Sequence, residues 1–162
     1  WAAVSIRAVA SRCSVSAGTI YNYYESKADL LSDTIESIWH EIFFHPEDEQ
    51  VFHDVESCIS WIYERLEYGN RQFPGFFSLH SFGFMRDEKT SGKKRMMKTW
   101  GHILNGLCEV LENDPKVRAD VFDQEFTEKK FADILFSLIL VSMIRQDYDP
   151  SSVLMLVKKT LY

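Results

Sequence analysis

SIRAVASRCSVSAGTIYNYYESKADLL, residues Ser5 to Leu31, is the stretch whose reading decides the fold. Ser5 is an N-cap residue ahead of Ile6, Val9 and Ala10, which share one side, so a short helix is predicted from Ser5 to about Cys13. A turn follows at Ser14-Val15-Ser16. Ser16 then caps a second short helix from Ala17 to about Tyr24, with Ile20 and Tyr24 inward, Thr19, Asn22 and Tyr23 outward, and Tyr21 at the edge. Ser26 caps a longer helix, Lys27 to about Phe43, whose Leu30, Leu31, Ile35, Ile38, Trp39 and Ile42 form one apolar stripe. Two short helices around a tight turn, the second with polar and aromatic side chains outward, follow the plan of a helix-turn-helix, which sets its second helix in the DNA major groove. Many helix pairs share that outline, so the pattern alone is a weak signal.

Downstream, the polar run His45-Pro46-Glu47-Asp48-Glu49 ends the third helix, and longer apolar spacings begin. Helices are predicted from Val51 to about Arg71, near Pro74 to Met85, from Asp87 to about Glu112 with a break at Ser91-Gly92, and from Thr127 to Arg145. A last one runs to about Leu161, with Asp149 as its cap and Pro150 in its first position. With four prolines, seven glycines and no sustained period-two pattern, the fold class is all-α. Residues 1–44 read as the helix-turn-helix DNA-binding domain with its connecting helix, and residues 45–162 as a larger helical ligand-binding and dimerisation domain.

Composition sets the outer limits. A chain of 162 residues with 46% hydrophobic and 14% aromatic side chains has ample material for a packed core. The most apolar run, Ile134 to Ile144, is too short to span a membrane and is bounded by Lys129, Lys130 and Arg145, so a cytoplasmic protein is expected. Cys13, Cys58 and Cys108 fit neither a disulfide framework nor a zinc ribbon and read as buried small hydrophobes. The five histidines show no metal spacing, and there is no Gly-rich phosphate loop or nucleophile elbow. No catalytic residue, metal or cofactor is therefore expected. Lys93-Lys94-Arg95 with Lys98 reads as a solvated helical face.

The same Ser5–Leu31 segment closely resembles the signature of the tetracycline-repressor (TetR) family of regulators. The resemblance is carried by Val9-Ala10, by Val15-Ser16 in the turn, by Gly18-Thr19-Ile20-Tyr21, and by Tyr24, Ser26, Lys27 and Leu30. It covers the first quarter of the chain; the remainder agrees in helix pattern and length. It implies a cytoplasmic bacterial transcription regulator that binds palindromic double-stranded operator DNA as a homodimer, and in most readings a repressor released by a small apolar or aromatic effector. The alternative is a regulator of the same fold that is protein-responsive or activating and has no small-molecule effector.

Net charge is −6, a poor match for a polyanion, and residues 1 to 44 hold three basic side chains (Arg7, Arg12, Lys27) against five acidic ones. Because the resemblance implies a further, often basic, helix ahead of Trp1, the native protein is expected to carry more Lys and Arg before that residue.

The resemblance places the DNA contacts at Arg7, Ser16, Ala17, Gly18, Thr19, Tyr21, Asn22, Tyr23 and Lys27. Arg7 offers a planar fork suited to guanine O6 and N7. Ala17 and Gly18 permit close approach of the backbone, and Thr19 offers a methyl or a hydroxyl. Tyr21 and Tyr23 match phosphate-contacting positions, while Asn22 faces the groove. Lys27 opens a helix, where the dipole disfavours a cation unless a phosphate stands in front of it. Tyr24 reads as core. Ser14 stands where the family commonly has glycine, which costs on the order of 1 kcal/mol if the backbone there is left-handed.

Two further expectations concern the larger domain. The family's last two long helices pair with their copies as a four-helix bundle, which assigns Phe131, Leu135, Leu138, Ser142, Val153, Leu156, Val157 and Leu161 to a dimer interface. Aromatic residues around the middle helices place an effector pocket at Trp61, Phe77, Phe82, Trp100 and Leu104. Ordinary core is the competing account of each pocket residue.

Overall fold

A computed structural model describes residues 4–43, 52–77 and 91–162, side chains at 91–96 and 99 excepted. Within them lie seven helices and no strand: α1 (Ile6–Arg12), α2 (Ala17–Tyr21), α3 (Lys27–Phe43), α4 (Val55–Gln72), α5 (Ser91–Asn113), α6 (Glu128–Arg145) and α7 (Ser151–Leu161). The protein is all-α with an N-terminal helix-turn-helix.

Short polar side chains fix most of the starts. Ser5, Ser16, Asp54 and Thr127 each accept a hydrogen bond from the backbone N–H three residues on, satisfying a donor that the first helical turn leaves open. Ser26 does the same for Asp29 at 3.2 Å, and its hydroxyl donates to the Asp29 carboxylate at 2.8 Å. Several boundaries differ from the sequence reading for the same reason. Asp54 moves the start of α4 from Val51 to Val55, and the second helix ends at Tyr21 because Tyr23 N–H bonds to Ile20 O, one residue tighter than an α-helix. Pro150 sits just outside α7, whose first N–H, from Ser151, is held by the Asp149 carboxylate at 2.9 Å.

α3 lies along α5 and also touches α4; α5 continues the packing to α6, and α4 reaches α7. One core results, built from Ile35, Trp39 and Ile42 of α3, Ile59, Ile62 and Leu66 of α4, Leu107 and Leu111 of α5, Leu135 and Ile139 of α6, and Val157 and Leu161 of α7. Ile6, Ala10 and Leu31 are buried outside that cluster, toward the helix-turn-helix. α3 thus contributes side chains to both ends of the molecule.

α3 and α4 approach closely at Gly69, where a Cβ would stand 2.6 Å from Ile42 Cδ1 and 3.2 Å from Phe77 Cε2. Beside it, Arg65 donates to the carbonyls of Ile42 and Glu41, so a guanidinium from α4 caps the open carbonyl end of α3. A second knot ties other ends together. The buried Asp114 carboxylate accepts from Val55 N–H at 2.9 Å and from the Tyr162 hydroxyl, while Arg118 N–H holds Leu161 O.

The cysteines do not share one environment. Cys58 is buried, with its thiol pushed up to about 12 by desolvation, but Cys13 is exposed at the end of α1, where no core covers it. Among the described residues no helix is long and apolar enough to cross a membrane.

Candidate nucleic-acid interface

Ser14 has φ 56°, in the left-handed region. Its N–H bonds to Ser11 O at 3.2 Å and Val15 N–H bonds to Ala10 O at 3.0 Å, the pair of bonds that closes a Schellman motif. Glycine usually occupies this position because it has no Cβ to crowd the carbonyl. The chain nevertheless turns sharply here with serine, and α2 starts two residues later, at its Ser16 cap. The Ser16 hydroxyl lies 3.1 Å from Thr19 N and 2.9 Å from Thr19 Oγ1, so Ser16 and Thr19 already hold each other.

The outward side of this unit carries Tyr23 at 80% exposure and Tyr21 at 55%, with Arg7, Ser16, Gly18 and Asn22 also exposed. Ala17, Thr19 and Lys27 are half-buried. A phenol four-fifths in water at Tyr23 gains nothing from the protein's own core. Tyr24 behaves differently. It is half-buried and donates its hydroxyl to Asp33 Oδ2 at 2.9 Å, a bond that raises the phenol's pKa and ties the end of the turn to α3. A Cβ on Gly18 would make only ordinary contact, 3.6 Å from Ser16 Oγ, so no described residue requires glycine there.

The residues assigned to the dimer interface divide sharply. Phe131, Leu135, Val153, Val157 and Leu161 are buried in the protomer's own core, and a side chain already out of water has no area to offer a second copy. Ser142 is half-buried, its hydroxyl 2.8 Å from Tyr63 of α4. Leu138 is half-buried and only Leu156 is exposed. The exposed apolar side chains of these two helices are Ile134, Val141 and Ile144 of α6 and Met155 and Leu156 of α7. The apolar residues of α6 run nearly all the way round the helix, so periodicity does not say which stripe faces in.

Of the pocket residues, Phe77 is buried while Trp61, Trp100 and Leu104 are half-buried; Phe82 lies outside the described residues. Trp61 and Phe77 join one aromatic chain, from Trp61 through Phe43 (5.8 Å) and Trp39 (5.6 Å) to Phe77 (5.7 Å). Trp100 packs instead on Phe136 at 5.8 Å. Tyr148, whose ring lies 6.5 Å from Phe77, belongs to the same aromatic group and was invisible to sequence reasoning, because it sits in the polar loop between α6 and α7 with no periodicity to mark it. Among the described residues no three His, Cys, Asp or Glu side chains gather as a metal site.

No curated protein and no solved structure matches the chain. A family model does: bacterial regulatory proteins of the tetR family, over residues 1–34, the span that contains both short helices, their Schellman turn and the start of α3. Over that segment the chain is similar to the DNA-binding region of bacterial regulatory proteins of the tetR family, which supports its reading as a DNA-binding transcription regulator.

Proposed function

We propose that the protein is a homodimeric repressor that sets α2 of each protomer in successive major grooves of a palindromic operator and leaves it when an uncharged effector enters the helical domain. The observation that carries this reading is the placement of α3. It leaves the outward-facing helix-turn-helix at Lys27 and ends inside the main core, where Trp39 and Ile42 are buried and Arg65 holds its last carbonyls. A displacement of that core therefore reaches the DNA-reading helices through one continuous helix. An effector that binds one tilt of α3 better than the other shifts the population, and operator DNA must in turn weaken the effector by the same factor.

In this account Arg7 reads a base edge, Tyr21, Tyr23 and Lys27 contact phosphates, and Asn22 faces the groove, with Ser16, Ala17, Gly18 and Thr19 forming the backbone surface between them. The second copy packs on Ile134, Val141 and Ile144 of α6 and on Met155 and Leu156 of α7, placing two α2 helices about 34–36 Å apart. Native mass spectrometry of the protein with a palindromic fragment from its own promoter tests the arrangement. Two protomers per duplex are expected; one protomer per duplex, with no dimer free in solution, rules it out.

A further inference from the structure

The aromatic chain contains two polar atoms that the fold leaves unanswered. The indole Nε1 of Trp39 and the hydroxyl of Tyr148 are both buried, and neither has a hydrogen-bond partner among the described residues. Trp39 is only 3% exposed, and the described rings packed on it, Phe43, Phe76 and Phe77, contain no oxygen or nitrogen to accept its proton. Phe77 is shared, with the Trp39 ring 5.7 Å away and the Tyr148 ring 6.5 Å away. A buried donor without a partner is disfavoured, and natural proteins leave few such groups without a water, an ion or a ligand to meet them. Here two flank one ring: Trp39 on α3, the helix that links the core to the DNA-binding unit, and Tyr148 in the loop between α6 and α7. We propose that Trp39 Nε1 and Tyr148 Oη are the polar anchors of the effector site, and that the effector is an uncharged aromatic molecule bearing a hydrogen-bond acceptor such as a carbonyl.

The absence of charge in the ligand follows from the surroundings. Burial raises the Tyr148 phenol, and no charged side chain among the described residues contributes, unlike Tyr63, which feels Asp147 and Asp149. An anionic or cationic ligand would lose its hydration with no counter-charge to replace it. Trp39 donates and cannot accept, so the ligand must carry the acceptor, while the Tyr148 hydroxyl serves either role. The apolar remainder of the ligand lies among Phe76, Phe77 and Phe43.

The assignment rests on the effector reading above, and its test separates the two. Three probes of nearly equal shape, 2-acetylnaphthalene, 2-isopropylnaphthalene and 2-naphthoate, are titrated into the intact protein while the Trp39 indole N–H resonance, assigned with Trp39→Phe, is followed by NMR. The ketone is expected to bind tightest and to move that resonance downfield, the hydrocarbon to bind about five- to tenfold more weakly, and naphthoate weakest. Trp39→Phe and Tyr148→Phe should each erase most of the ketone's advantage while changing hydrocarbon affinity by less than about twofold, the pattern of a lost hydrogen bond rather than of lost packing. Equal affinity for ketone and hydrocarbon, preference for the carboxylate, or no binding of any probe overturns the proposal. If the ketone binds as described yet leaves operator affinity unchanged, the site stands and its regulatory use fails. If a charged effector releases the operator without moving the Trp39 resonance, the site fails and the regulatory reading stands.

Discussion

Ser14 and Tyr24 show how single residues set the geometry of the DNA-reading unit. Ser14 holds a left-handed backbone that an L side chain adopts at a cost of about 1 kcal/mol, and its two flanking hydrogen bonds depend on that conformation. Ser14→Gly is expected to raise stability by up to about 1 kcal/mol, somewhat less if the unfolded chain gains freedom, as read by urea unfolding. A loss of stability would mean that the serine side chain makes a contribution the turn geometry does not reveal. The position was legible in the sequence only through resemblance; the left-handed φ itself required coordinates. Tyr24 was readable from i, i+4 spacing with Ile20 as an inward residue, but its partner, Asp33, lies on the next helix and leaves no local trace.

At the scale of elements, caps and stripes made α3 readable from Lys27 to Phe43 and placed α6 to within a residue, because Ser26 and Thr127 announce their helices chemically. What holds α3 in place was not readable. Arg65 looks in sequence like any outward charge on α4, yet it reaches across to two carbonyls at the end of α3 and stacks over Tyr68 at 4.4 Å. Charge-assisted bonds to otherwise open carbonyls are worth more than neutral ones, so Arg65→Met is expected to cost about 1–3 kcal/mol. The loss should be local first, with faster amide exchange in the last turn of α3 than in α6. Uniform acceleration across all helices would contradict the cap. The faces of α6 were not readable for a related reason: the stripe containing Phe131 and Leu135 is buried in the core, and only three-dimensional packing distinguishes it from the exposed stripe containing Ile134 and Val141.

The whole molecule is tied together at the end where α4, α5 and α7 meet. Asp54 caps α4, receives Lys116 Nζ at 2.8 Å, and has its pKa lowered from the ordinary 3.8 to about 2, chiefly by that lysine and by the Ser57 N–H. A depressed carboxylate stabilises the fold above its unfolded pKa, and the contribution disappears as pH falls through the folded value. The stability difference between wild type and Asp54→Asn should therefore be constant above about pH 4 and shrink between about pH 4 and pH 2. A difference that does not change over that range would remove Asp54 from acid sensitivity. The proposed dimer makes the other prediction at this scale. Ile144→Glu or Met155→Glu places a charge on the outward apolar faces, and sedimentation should then show a monomer with its helicity intact. A persistent dimer would move the interface elsewhere.

The central claim, that Ser5–Leu31 forms the DNA-reading surface, is tested most directly by the binding of the promoter palindrome and a scrambled duplex across a salt series, for wild type, Arg7→Ala, Tyr21→Ala and Lys27→Ala. Tyr21→Ala and Lys27→Ala should weaken both duplexes, Lys27→Ala lowering the salt slope by about 1, whereas Arg7→Ala should remove about 1–3 kcal/mol of preference for the palindrome. Unchanged affinity, slope and preference in all three variants would contradict the account.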